Sequence, residues 1–274
     1  MTNYQTLGHL PRSPLVYTIA LVEYGQVPAM AEFAGRIQEA LRPEYPEIGR
    51  LEAETLQIGV RVPGQPPEIN KLRVVNWTMN TADRTWGIIF SENKILLHTR
   101  AYEHFPQFAD RFREALETIA REAKITHTST SGIRYIDNIR AIDGLGLSEL
   151  IQEGFLAPAL GGSLERAMSR VEYIYRSQEG QLFLRGYGVA NHPGIPADIM
   201  ELANQLFRNA LPIAPVTEEF ALLDTDHMYA PGRLESLDVS SVIERLDRLH
   251  QGASSAFRRI ATKEALDAWK KEDN

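Results

Sequence analysis

Ser131-Gly132-Ile133-Arg134-Tyr135-Ile136-Asp137-Asn138 reads as one β-strand in the middle of the chain, following a long helical segment. Alternation with period two sends Ile133, Tyr135 and Ile139 to one side, and Arg134, Ile136 and Asn138 to the other. Arg134 and Asp137 therefore stand on opposite faces of a central strand, where an ion left unpaired is costly. Both are expected to hold two parts of the molecule together. Before and after this stretch the chain runs through nearly the same order of elements, and that repetition decides the fold.

Upstream, Pro14–Glu23 is rich in β-branched and aromatic residues and reads as a buried strand. Pro28 opens a helix with Met30, Phe33, Ile37, Ala40 and Leu41 at helical spacing, and Arg42-Pro43 ends it. Strands follow at Leu51–Val62, Lys71–Met79, Thr85–Phe90 and Lys94–Arg100, with a loop at Pro63–Pro67. Pro106 opens a long helix whose apolar face carries Phe108, Phe112, Leu116, Ile119 and Ala123. Downstream of the central strand come a short helix capped by Ser148, strands at Ala167–Ser177 and Gln181–Val189, and a helix at Pro196–Phe207. A strand at Thr217–Asp226, a long helix capped by Asp238 or Ser240, and a last helix capped by Thr262 complete the chain. The expected class is α+β, with two related halves over residues 1–128 and 129–274 packed as one unit. Each half is a curved antiparallel sheet on a long helix, β-α-β-β-β-β-α in order, with the second one strand short. By order of elements this resembles the TATA-binding-protein-like or helix-grip arrangement, and fold analogy carries no function.

The 274 residues suit one large domain or two intimate halves, and 43% hydrophobic with 24% charged residues marks a globular chain. A net charge of −7 argues against a general nucleic-acid binder. The absence of cysteine excludes disulfides, thiolate nucleophiles and cysteine-based metal sites. Met1–Pro11 is polar without the apolar core of a signal peptide, and Leu15–Val22 is too short to span a bilayer, so a cytoplasmic protein is expected.

Pro14-Leu15-Val16, central Arg134-Tyr135-Ile136-Asp137, His250 with Phe257, and Thr262…Ala265-Leu266…Trp269 resemble, in order and spacing, a sporadically distributed bacterial protein family of about this length. The likeness extends over nearly the whole chain. It implies a bacterial protein and transfers no activity, cofactor or catalytic residue.

Asp224, Asp226 and His227 close a strand in Leu-Leu-Asp-Thr-Asp-His. Asp224 and Asp226 share a face, and two carboxylates near a His suit a divalent cation or acid–base work. The commoner outcome for such a pair is ionic contact with Arg134 or an arginine of the last helix. His250 lies beside Leu249 near the apolar stripe of the long helix, where a packed, neutral histidine is the ordinary case. Tyr135 completes the candidate cluster of Arg134, Tyr135, Asp137, Asp224, Asp226, His227 and His250. No Gly-x-Ser-x-Gly elbow, dinucleotide loop, P-loop or His-Glu-x-x-His spacing is present, so neither a cofactor nor a metal is expected. Trp77, Trp86 and Trp269 read as core or interface anchors.

Two classes of function remain. One is a non-catalytic binding or regulatory protein, such as a component of a bacterial defence or toxin–antitoxin type system, with a protein partner or as a homodimer. The other is a metal-assisted hydrolase using the Asp/Asp/His group. Sheet edges must be covered or paired, which favours a homodimer, and Phe220, Leu222 and the Leu182–Leu184 stretch suit a buried interface as well as a core.

Overall fold

The computed structural model describes residues 10–59, 68–156, 158, 160–161, 168–189, 195–200 and 220–271. It is an α+β molecule organised by one large antiparallel sheet. The strands are β1 (Leu15–Tyr24), β2 (Glu47–Gly59), β3 (Glu68–Asn80), β4 (Trp86–Phe90), β5 (Lys94–Thr99), β6 (His127–Arg140), β7 (Met168–Arg176), β8 (Gln181–Val189), β9 (Phe220–Tyr229) and β10 (Glu235–Ser236). Across the sheet they run β2-β3-β4-β5-β1-β6-β9-β8-β7, with β10 beside the start of β6. The helices are α1 (Met30–Leu41), α2 (Phe105–Ala123), α3 (Leu147–Leu150), α4 (Val239–Ile260) and α5 (Lys263–Trp269). None of the described helices is long and apolar enough to cross a membrane.

The central strand lies where the alternation of its residues requires. β6 pairs with β1 on one side, Ile133 opposite Ala20, and with β9 on the other, Arg134 opposite Asp226. Ile133, Tyr135 and Ile139 face a core closed by the helices, and Ile136 faces the reverse side. On the helical side α2 buries Phe105, Phe108, Phe112, Leu116 and Ile119, while α4 buries Val242, Ile243, Leu246 and Leu249. Each such side chain contributes about 1.5–3 kcal/mol on leaving water. His104 caps α2 by accepting from the Gln107 amide at 3.2 Å, and Asp238 caps α4 by accepting from the Ser241 amide at 3.1 Å. Trp77, Trp86 and Trp269 take the core role of the two that the sequence leaves open.

The reverse side of the sheet carries a smaller core of Tyr17, Ile19, Ile89, Ile136, Phe220 and Leu222, onto which Ile195 and Ile199 fold. Residues 197–200 are helical, and the remainder of the helix predicted over 196–207 lies outside the described residues, as does the Pro63–Pro67 loop.

Several expectations are corrected. Of the two roles open to them, Phe220, Leu222, Leu182 and Leu184 take the core: the first two fill the reverse core and the other two face the helices. β9 is apolar on both faces because both are covered: Ala221 and Leu223 pack in the core under the helices, and Phe220 and Leu222 pack with Ile195 and Ile199 on the reverse side. α3 is capped at Gly146, whose amide donates to the Glu149 carboxylate at 2.9 Å, and not at Ser148. β2 begins at Glu47, ahead of the predicted Leu51, and β10 has no counterpart in the sequence reading.

Candidate functional site

The reverse side of the sheet holds a ladder of ions across four adjacent strands and one helical turn. Arg134 on β6 meets Asp224 on β9 with both edges of its fork, Nε to Oδ1 at 2.8 Å and Nη2 to Oδ2 at 2.7 Å. Its Nη1 reaches Asp198 Oδ2 at 2.6 Å on the turn that carries Ile199. Arg185 on β8 donates to Asp224 Oδ2 at 3.3 Å and, through Nε, to Glu172 Oε2 on β7 at 2.8 Å. Asp224 has 0% of its side chain exposed and Arg134 only 16%, so the bidentate pair is nearly out of water. Asp226 stands 3.7 Å from Arg185, too loose to offset its burial, and its carboxyl is pushed up to about 6 despite the nearby Arg134.

The other side of β6 holds a separate polar group under the helices. Tyr135 Oη lies 2.7 Å from His250 Nδ1, and the His250 ring stacks on Phe105 with centroids 4.6 Å apart. Burial pushes His250 down to about 4, so the ring is neutral. The Tyr102 ring meets Tyr135 edge-on at 5.6 Å. His227 Nδ1 lies 2.9 Å from the Leu249 carbonyl, which only accepts, so Nδ1 carries the proton and Nε2 accepts from the Ser177 hydroxyl at 3.0 Å. Gly252 on α4 allows this approach, since a Cβ there would come within 2.5 Å of the His227 ring. Asp137 is buried, and its carboxyl is pushed up to about 8, by burial first and by the Asp224 charge second.

The seven residues singled out from the sequence thus divide between two faces. Arg134, Asp224 and Asp226 share one face, where Asp224 pairs with Arg134 as the ion-pair reading had it, whereas Asp226 has its ionic contact with Arg185 of β8. Tyr135, Asp137, His227 and His250 lie on the other. His227 does not join Asp224 and Asp226, because adjacent residues of a strand point to opposite faces. Nor does Arg134 tie the first half of the chain to the second: both carboxylates it meets, Asp224 and Asp198, belong to residues 129–274, as Arg134 itself does. Arg185, Glu172 and Asp198, which complete the ladder, are not among those seven. For Arg185 the signal was present, an arginine at an alternating position of an apolar strand, Leu182-Phe183-Leu184-Arg185.

The sheet has a further feature in its outermost strand. β7 pairs with β8 alone among the described residues, and none of its nine residues is buried. Met168 is 72% exposed, Ile174 58%, Tyr175 50% and Tyr173 37%. A long edge with this much uncovered apolar surface is a template for another strand. The Ser177–Gly180 turn, with the Ser177 amide donating to the Gly180 carbonyl at 2.8 Å, and the Tyr173 hydroxyl on the Gly154 carbonyl at 3.0 Å hold β7 in place. Against known proteins, no family model and no curated protein matches this chain.

Proposed function

We propose that this chain is a non-catalytic binding protein, built from two related halves, that takes a protein partner on the outer edge of β7. The exposed apolar side chains of an edge strand, Met168 and Ile174 on its reverse face and Tyr173 and Tyr175 on the other, carry the reading. Monomeric surfaces seldom leave such a group uncovered, and strand addition is a recurring mode of peptide and protein recognition.

The course of the chain supports the two halves. The first starts with β1 at the centre, moves out and returns strand by strand through β3 and β4 to β5, which pairs with β1, and α2 closes it. The second starts with β6, moves out to β7 and returns through β8 to β9, which pairs with β6, and α4 closes it. β7 then corresponds to β3. In the first half the outer edge of β3 is occupied along its length by β2, and the matching place beside β7 holds no strand among the described residues. The ion ladder serves this surface by fixing the strands behind it, through Glu172, Arg185 and Asp224.

The test is co-purification of the tagged full chain from its native host, compared with Ile174→Asp. The side chain is exposed, so the melting temperature stays the same and the partner is lost. A partner that the variant retains would place binding elsewhere and overturn the reading.

A further inference from the structure

We infer that the place beside β7, where no strand lies among the described residues, is taken by β7 of a second copy, running antiparallel about a two-fold axis at Val171. The inference rests on the reading of β7 as a protein-binding edge and names its occupant.

The charges along β7 choose the register. A two-fold axis perpendicular to a continuous sheet pairs residues of equal parity, because directly opposed side chains share a face. An axis at Arg170 sets arginine against arginine, and an axis at Glu172 sets glutamate against glutamate. An axis at Tyr173 brings Arg170 onto Arg176. Like charges directly opposite are destabilising. An axis at Val171 sets each Arg170 against the partner's Glu172, the two exposed residues Met168 and Ile174 against each other, Ser169 against Tyr173, and Val171 against itself. Seven of the nine residues of β7 are then paired. An axis at Ile174 also matches charge, Glu172 with Arg176, but pairs only five strand residues before the Ser177–Gly180 turn intervenes. The Val171 register is the longer of the two that satisfy the charges.

Arg170 and Glu172 are well placed for this. Both project on the reverse face, since they pair with Tyr187 and Arg185 of β8, and both are exposed. Glu172 already accepts from Arg185 on its own chain, which leaves the outer side of its carboxylate for a guanidinium from the partner. The dimer would carry one sheet unbroken from each β2 to the other.

The chain contains no cysteine, so a single introduced one reports on the register. Cα atoms of directly opposed residues on antiparallel strands lie about 4.5–5.5 Å apart, within disulfide reach. Val171→Cys is expected to give a disulfide-linked dimer under mild oxidation, and Ile174→Cys is expected to give little. Light scattering of the unmodified chain is expected to give the dimer mass at high concentration and the monomer mass on dilution. Arg170→Glu and Glu172→Arg, each alone, are expected to weaken the dimer about tenfold. Mixed together they restore complementary charge at both contacts and form the heterodimer, which separates repulsion from misfolding. A monomer mass at every concentration overturns the self-pairing. So does a dimer that links through residue 174 and not 171, or one whose mass ignores the charge variants. If the monomer still retains another protein through Ile174, only the second copy is overturned and the binding reading stands. If Ile174→Asp changes nothing, both fall.

Discussion

Arg134 and Asp137 stand three residues apart on one strand and meet opposite surroundings. Arg134 is neutralised by Asp224 and Asp198, and removing it leaves Asp224 buried with only the longer contact to Arg185. Arg134→Ala is expected to cost about 3 kcal/mol, near the low end for breaking a buried pair. In a chain of this size that lowers the melting temperature by roughly 6–12 °C. Calorimetry at neutral pH checks it, and an unchanged transition would show that the ladder is dispensable. Asp137 is held protonated by burial, with a carboxyl at about 8 against an ordinary 3.8. Between those values the folded chain keeps a proton that the unfolded chain releases. Its stabilising effect is therefore complete below about pH 4 and lost as pH rises to about 8, with a slope of at most about 1.4 kcal/mol per pH unit. His250, pushed down to about 4, and His98, pushed down to about 3, act in the opposite sense and lose stability as pH falls below about 6.5. Asp137→Asn is expected to flatten the fall in melting temperature between about pH 6.5 and 8.5. A variant that tracks the parent over that interval would show that Asp137 is ionised in the fold.

The strands and helices show which parts of this architecture were legible in the chain. Runs such as Leu15–Tyr24 and the striped helix Phe105–Ala123 have long periodic patterns, and they form where those patterns indicate. β10 has two residues and no period to read, and the Gly146 cap depends on Glu149 reaching back over one turn. The candidate site was legible only in part. Asp224 and Arg134 are 90 positions apart, and their contact depends on the register between β6 and β9. The links between sheet and helix were likewise unreadable. Tyr135→Phe leaves His250 Nδ1 without its 2.7 Å partner and is expected to cost about 1–3 kcal/mol. Urea unfolding measures this, and a change of zero would mean that the two groups are not bonded in solution. Gly180 ends the β7–β8 connection with φ +144°, and a Cβ there would lie 2.0 Å from the Met228 carbonyl oxygen. Gly180→Ala is expected to destabilise by about 1–3 kcal/mol and to displace β7, which the Val171→Cys linkage would register as a lower yield.

At the scale of the whole molecule, β1 and β6 share the middle of one sheet, and each is the first strand of the run it begins. During synthesis the segment through α2 is complete before β6 emerges, so the β6-facing side of β1 waits without hydrogen-bond partners. The contact that closes it, Ala20 to Ile133, joins residues more than a hundred positions apart, and loop closure over that length is slow. Chain order and architecture therefore disagree about where the molecule can be divided. A gene cut between α2 and β6 would yield two fragments, each with a long naked central edge. Expressed separately they are expected to be insoluble, and expressed together they are expected to re-form the sheet. That behaviour would make this seam a split point for reporter reassembly, whereas two fragments that each stay soluble and folded alone would mean that the seam contributes little to either.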